Sequence, residues 1–129
     1  GLRHAYIVVI DDEEDSRDLI VNILAPTGAN VVSASNVAEG LRAVYERAPD
    51  LIICDLGMPY ADGFEMVRQL RLMGEPHAST PAIALTAYAR DEDRKRALAA
   101  GFQEHVGKPF DVKVLVQTAA RLIATARGG

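Results

Sequence analysis

Residues 6–18 read YIVVIDDEEDSRD, an apolar run followed at once by an acidic segment. Apolar runs of this length that are rich in β-branched residues are typical of strands buried on both faces of a sheet. Leu19, Ile20, Ile23 and Leu24 follow at helical spacing and predict a helix. The sequence therefore indicates a strand, an acidic loop and a helix in succession.

The acidic loop carries the charge of the whole chain. Residues 11–18 hold six acids and one arginine, a formal net charge of −5, whereas all 129 residues together carry −4. The remaining residues are nearly neutral, and a chain without a basic excess is not expected to bind nucleic acid directly. The acids after Asp12 are interpreted as a solvated helix start, where the helix dipole favours negative charge.

The alternation of strand and helix continues along the chain. Further strands are predicted at 30–34, 51–54 and 82–85, with a weaker one at 104–106, and helical patterns lie between and after them. Five strands alternating with five helices predict an α/β fold with a parallel sheet covered on both faces. Right-handed crossovers leave few topologies, of which the flavodoxin-like, doubly wound order 2-1-3-4-5 is one.

The length fits a single domain, which we expect at residues 5–126, with terminal tails at 1–4 and 127–129. The glycines at both ends suggest a domain excised from a longer protein. The single cysteine, Cys54, excludes an internal disulfide and favours a reducing, cytoplasmic location. No apolar stretch approaches the roughly 18 residues of a membrane span, so we expect no membrane association.

Polar residues stand at the ends of four predicted strands, where open α/β sheets place their functional groups. Asp11 and Asp12 follow the first strand, Asp55 follows the third, Thr86 ends the fourth and Lys108 follows the fifth. Strands 1, 3, 4 and 5 are neighbours in the order 2-1-3-4-5. We therefore expect these side chains to converge at one edge of the sheet.

The converging residues point to phosphoryl chemistry. Three crowded carboxylates repel one another unless a cation joins them. Their oxygens suit Mg²⁺ (or Mn²⁺), which commonly binds one or two carboxylates together with phosphate oxygens and water. Lys108 and Thr86 carry groups that hold phosphoryl oxygens. The sequence predicts a phosphoryl-transfer site with a carboxylate nucleophile.

Short motifs in fixed order carry a family resemblance: VIDDE at 9–13, DLGMP at 55–59, DG at 62–63, LTA at 85–87, AGF at 100–102 and KPF at 108–110. By these motifs the chain resembles the response-regulator receiver domain of two-component signalling, from about Tyr6 to Ile123. The resemblance implies that Asp55 accepts a phosphoryl group from a histidine kinase or phosphotransfer domain. It also implies Mg²⁺ binding by Asp11, Asp12, Asp55 and the backbone carbonyl of Gly57.

The resemblance extends to residues around the phosphoacceptor. Thr86 and Lys108 would contact the phosphoryl group, and the small Ala87 would let it enter. Pro109 would follow a cis peptide bond, and Tyr88 would shield the acyl phosphate from water. The stretches at 57–59 and 84–90 are similar to receivers at the ends of hybrid histidine kinases, which favours an excised domain over a freestanding regulator.

One position departs from the family. The family usually has Tyr or Phe three residues before the lysine and couples its rotation to the threonine, whereas this chain has His105. Imidazole at this switch position would add a charge that depends on pH. The resemblance implies that the fourth helix, fifth strand and fifth helix change their surface on phosphorylation and serve as a face for self-association.

The sequence leaves one alternative function open and argues against two others. A receiver-like interaction module that is never phosphorylated is the remaining alternative, with His105 as its only support. A flavodoxin-like cofactor binder is rejected, because five consecutive acids stand where its phosphate loop would be. A haloacid-dehalogenase-like phosphatase does not fit, because Asp11 and Asp12 are adjacent and the best nucleophile lies on the third strand. The domain would phosphorylate and dephosphorylate itself, without being a turnover enzyme.

Overall fold

Five strands and five α-helices alternate along the chain in the computed structural model, which describes residues 1–57, 63–87 and 90–128. The strands are β1 (Tyr6–Ile10), β2 (Asn30–Ala34), β3 (Leu51–Asp55), β4 (Ala82–Thr86) and β5 (Glu104–Gly107). The helices are α1 (Glu14–Leu24), α2 (Val37–Glu46), α3 (Gly63–Arg71), α4 (Asp91–Ala100) and α5 (Val112–Ala126), with short 3₁₀ helices at Ala25–Thr27 and His77–Ser79. Among these described helices, none combines the length and the apolar composition needed to cross a bilayer.

All strands are parallel and stand in the order β2-β1-β3-β4-β5, which confirms the predicted topology. The register pairs Ile10 with Cys54 and Asp55 with Leu85, and it pairs Thr86 with Gly107. The carboxyl ends of β1, β3, β4 and β5 therefore end at nearly the same level, and the polar residues there become neighbours.

The central strands β1, β3 and β4 are buried on both faces, and side chains of successive strand residues point to opposite sides. Ile7 and Val9 belong to the apolar cluster formed with α1 and α5. Val8 and Ile10 belong to the cluster on the other face, with α2, α3 and α4. Burying each such side chain stabilises the fold by about 1.5 to 3 kcal/mol. Leu2 also packs in the first cluster, although it precedes the expected start of the domain at residue 5.

The helix starts show how local sequence sets element boundaries. Asn36 caps α2 by accepting a hydrogen bond from the Glu39 amide at 2.9 Å, and its own amide group donates to Glu39 Oε1. The first bond is the N-cap half of a capping box, whereas the second joins the two side chains. Asp62, which has the same spacing to Glu65 in the sequence, lies outside the described residues. Asp111 caps α5 by accepting bonds from the amides of Lys113 and Val114.

Candidate functional site

The acidic edge of the sheet is organised around Lys108. Asp11 directly follows β1, Asp55 is the last residue of β3, and Lys108 directly follows β5. Lys108 Nζ lies 3.2 Å from Asp11 Oδ2 and 3.3 Å from Asp55 Oδ2. Both carboxylates are almost completely buried. The fold thus brings together three of the residues predicted from the strand ends.

Four carboxylates form one group at this edge of the sheet. One oxygen each from Asp11, Asp12, Glu13 and Asp55 lies within 4.8 Å of the others. Asp12 and Glu13 are exposed, so the group is buried on one side and open on the other. An all-oxygen donor set of this kind fits a hard divalent cation. Glu13 was predicted to belong only to the solvated helix start, yet its Oε1 also lies 4.0 Å from Lys108 Nζ.

Asp11 is fixed by the beginning of α1. Its Oδ1 accepts a hydrogen bond from the Glu13 amide at 3.0 Å, and its Oδ2 accepts one from Ser16 Oγ at 2.6 Å. Its main-chain carbonyl accepts a bond from Arg17 Nη1 at 2.9 Å. Ser16 and Arg17 were not singled out from the sequence. Their only signal was their position one turn beyond the acids on a predicted helix.

The electrostatics of Asp55 and Lys108 reflect competition between burial and charge pairing. Burial raises the pKa of Asp55, and the negative charge of Asp11 adds to that shift. The Gly57 amide and Lys108 act in the opposite direction, but burial outweighs them. Burial alone would lower the pKa of Lys108, but the attraction of Asp55 and Asp11 outweighs it and the pKa is raised. The ammonium is therefore held in its charged form between two carboxylates.

Gly57 approaches Asp55 through its backbone. Its amide donates to Asp55 Oδ1 at 2.9 Å, and a Cβ at this position would lie 3.4 Å from the same oxygen. A side chain here would therefore contact the carboxylate. The predicted ligand, the Gly57 carbonyl, stays a prediction.

Thr86 lies at the same edge of the sheet. It is buried at the end of β4, and its carbonyl accepts a hydrogen bond from the Lys108 amide at 2.7 Å. The Lys108–Pro109 peptide bond is cis, as the resemblance implied. Ala87 follows Thr86 and is exposed, whereas Tyr88 lies outside the described residues.

His105 lies on β5 opposite Ala84, one residue before Val106. Val106 packs in the cluster with α1 and α5, so alternation directs the imidazole to the other face of the sheet. Its Nε2 is buried and makes no hydrogen bond within the part of the chain that the structure describes. Its role as a switch residue stays a prediction.

A parallel sheet in the order 2-1-3-4-5 with buried aspartates and a lysine at its carboxyl edge defines a two-component receiver. Residues 7–120 match the family of the response regulator receiver domain, and the chain belongs to that family. It is thus a receiver domain of two-component signalling, a class that interacts with histidine kinases or phosphotransfer proteins.

The relatives include proteins of similar and of greater length. The chain is 44% identical over 112 residues to an uncharacterized 14.6 kDa protein in the sodA1 3′ region of Leptolyngbya boryana, covering 86% of this chain and 84% of that one. It is 35% identical over 106 residues to the KDP operon transcriptional regulatory protein KdpE of Escherichia coli, covering 82% of this chain and 45% of that one. It spans about half the length of the transcriptional regulators it matches, and histidine kinases are also among its relatives.

A solved structure shows the same fold. The chemotaxis response regulator CheY4 of Vibrio cholerae matches with a TM-score of 0.85 and 29% identity, over 92% of this chain and 98% of that one. The doubly wound arrangement predicted from the alternating strands and helices is confirmed by this likeness and by the strand order.

Proposed function

We propose that this domain, expected at residues 5–126, accepts a phosphoryl group on Asp55 from the phosphohistidine of a histidine kinase or phosphotransfer domain. The observation that carries the proposal is the placement of a buried Asp55 carboxylate 3.3 Å from Lys108 Nζ, inside a group of carboxylates that fits a divalent cation. A kinase partner and the buried, reduced Cys54 favour a cytoplasmic setting.

The transfer is a displacement at phosphorus. A carboxylate oxygen of Asp55 forms the new P–O bond while the P–N bond to the donor histidine breaks. The electron pair of that bond stays on the imidazole nitrogen, which then takes up a proton. Burial that raises the pKa of Asp55 also makes its carboxylate more basic and hence a better nucleophile.

In this proposal Lys108 and Thr86 hold the transferred group. The Lys108 ammonium already pairs with Asp55 Oδ2 and would turn to a phosphoryl oxygen as the negative charge at Asp55 grows. The Thr86 hydroxyl would donate to another oxygen from the end of β4. Ala87 would leave room for the group, and Tyr88 would limit the access of water.

The residues present fit the proposed metal. Asp11, Asp12, Asp55 and the Gly57 carbonyl would hold Mg²⁺ or Mn²⁺, and Glu13 lies within the same group of carboxylates. When bound, the cation neutralises the charge that the carboxylates and the incoming phosphoryl group bring together. Without it, Lys108 is the cation that faces Asp11, Glu13 and Asp55 among the described residues.

The output would follow the family pattern. We propose that Thr86 and His105 respond to phosphorylation and alter the surface formed by α4, β5 and α5. Self-association through that surface is part of the proposal.

The test is intact mass after incubation with acetyl phosphate and Mg²⁺. We expect the unchanged protein to gain one phosphoryl group and Asp55→Asn to gain none. Asp18→Asn is the control, since Asp18 is an exposed acid on α1, and it should also gain one phosphoryl group. Equal gain by Asp55→Asn would place the phosphoacceptor elsewhere. No gain by the unchanged protein, with acetyl phosphate or with a phosphorylated kinase, would overturn the proposal in favour of an unphosphorylated interaction module.

A further inference from the structure

The Asp11 carboxylate has little hydrogen-bonding capacity left. Its Oδ2 accepts from Ser16 Oγ at 2.6 Å and from Lys108 Nζ at 3.2 Å, and its Oδ1 accepts from the Glu13 amide at 3.0 Å. A carboxylate oxygen offers about two acceptor sites. Oδ2 is therefore filled, and one site on Oδ1 remains for a further partner.

Ser16 makes this arrangement specific. The terminal torsion of an aspartate is soft, so a carboxylate bound by Lys108 and one amide could exchange its two oxygens by rotation. A second short bond from a fixed hydroxyl to Oδ2 removes that freedom. Hydrogen bonds in which one partner is ionised are also roughly twice as strong as neutral ones.

The Ser16 hydroxyl donates to the Asp11 carboxylate rather than to a group of the helix itself. The residue that precedes α1, Glu13, makes no side-chain capping bond, and Ser16 reaches back five residues to the buried carboxylate. The backbone of Asp11 is held separately, by its own amide bond to the Ala34 carbonyl and by Arg17 on its carbonyl. Removing the hydroxyl should therefore release the carboxylate while leaving the backbone in place.

We propose that Ser16 is a positioning residue that locks Asp11 with Oδ1 directed to the divalent cation. This inference rests on the proposed metal site. Residues that orient a metal ligand typically change metal affinity by about 10- to 100-fold when they are removed. Serine is suited to this position because its short side chain reaches the carboxylate as a donor and adds no charge.

The experiment measures the Mn²⁺ dissociation constant from the electron paramagnetic resonance signal of the free ion, on the full chain. Four proteins are compared: unchanged, Ser16→Ala, Ser16→Thr and Ser79→Ala. Ser79 is the matched control, because its hydroxyl also donates to a carboxylate at 2.6 Å, that of Glu75, but just before β4 at the opposite edge of the sheet. Urea unfolding in chelator, which needs no metal, reports the fold of each variant.

Ser16→Ala is expected to bind Mn²⁺ roughly tenfold more weakly. Ser16→Thr, which keeps the hydroxyl, and Ser79→Ala should bind Mn²⁺ within about twofold of the unchanged protein. Metal-free Ser16→Ala should still unfold in one cooperative transition, at a lower urea concentration because a buried carboxylate has lost a charge-assisted bond. Unchanged affinity in Ser16→Ala, or equal loss in Ser16→Thr, would overturn the role of Ser16. If the unchanged protein binds no Mn²⁺, the metal site itself is overturned, and the role of Ser16 with it.

Discussion

At the scale of single residues, the site is short of positive charge. Lys108 contacts Asp11 and Asp55, yet the pKa of Asp55 is still raised because burial outweighs the help of Lys108 and the Gly57 amide. Removing one partner from a buried ionic group usually costs stability, because it leaves a charge without compensation. Here one cation, Lys108, is shared by several carboxylates, so the metal-free site holds negative charge that is not fully compensated. A second cation is what the arrangement lacks.

The charge at Asp55 should therefore cost stability when no metal is present. Asp55→Asn is expected to raise the free energy of unfolding in chelator at pH 7 by about 1 kcal/mol. With its pKa raised, folded Asp55 binds more protons than unfolded Asp55 just above the ordinary carboxyl range. The contribution of Asp55 to stability thus falls as pH rises through that window, and the difference from Asp55→Asn should vanish at lower pH.

Urea unfolding between about pH 4 and pH 7 measures this difference. Asp18→Asn is the control, since it removes an exposed carboxylate and should change stability by less than about 0.5 kcal/mol. If Asp55→Asn is less stable than the unchanged protein throughout the range, the attraction of Lys108 outweighs the burial of Asp55.

Sequence reasoning reached some site residues and not others for a physical reason. Asp11, Asp55 and Lys108 could be predicted because the ends of apolar runs fix where a strand delivers its next side chain. Ser16 and Glu13 act through rotamers within a helix start, and nothing in their spacing separates a side chain that reaches the site from one that points to water. Only the three-dimensional structure shows that these two side chains reach the site.

At the scale of elements, Arg71 joins three segments near the amino edge of β4. From the end of α3, its Nε and Nη2 donate to the Gly101 carbonyl at 3.0 and 2.7 Å, and its Nη1 donates to the carbonyls of Ala78 and Thr80. Nη2 also donates to Gln103 Oε1, which in turn accepts from the Ala82 amide. The guanidinium thus holds the end of α4 against the loop that leads into β4.

Replacing this arginine should destabilise the fold. Arg71→Met keeps the apolar stem but leaves partly buried carbonyls without a donor, and we expect a loss of about 2 to 3 kcal/mol. Arg68→Met on the same helix is the control, because Arg68 makes an exposed ion pair with Glu65 worth at most about 1 kcal/mol. Urea unfolding of both variants provides the comparison. Equal losses of stability in the two variants would mean that water replaces Arg71 as the donor to these carbonyls.

The elements themselves could be predicted well where burial dominates. Strands buried on both faces give continuous apolar runs, so the runs that end at Ile10, Cys54 and Leu85 match β1, β3 and β4, the last two of which are each one residue longer. The run that ends at Ala34 also matches β2, although β2 is an edge strand with most of its residues exposed. The β5 run is weak because the strand is short and only Val106 in it is fully buried. Side-chain exposure was less predictable: Leu19, which belongs to the first apolar helix stripe, is about half exposed. Apolar periodicity finds the helix but not the limit of its covered face.

At the scale of the whole molecule, the site depends on the complete fold. Lys108 and Asp11 are 97 positions apart in sequence, and Asp55 lies between them on another strand. The acidic group and Lys108 come together only when β1 pairs with β3 and β4 lies between β3 and β5. An unfolded chain has no such arrangement, so a ligand of this site binds the folded state alone.

Binding of Mg²⁺ should consequently stabilise the entire domain against unfolding. At a free concentration a hundred times its dissociation constant, a ligand that binds only the folded state adds about 2.7 kcal/mol to the free energy of unfolding. Asp12→Asn should lose most of this gain, because Asp12 is an exposed member of the group and its removal leaves the buried contacts of Asp11 intact. Thermal and urea unfolding with Mg²⁺ and with chelator measure the gain, and Asp18→Asn should retain it. If Mg²⁺ stabilises Asp12→Asn as much as the unchanged protein, the ion binds elsewhere, because a cation held by the acidic group binds more weakly when one of its carboxylates is lost.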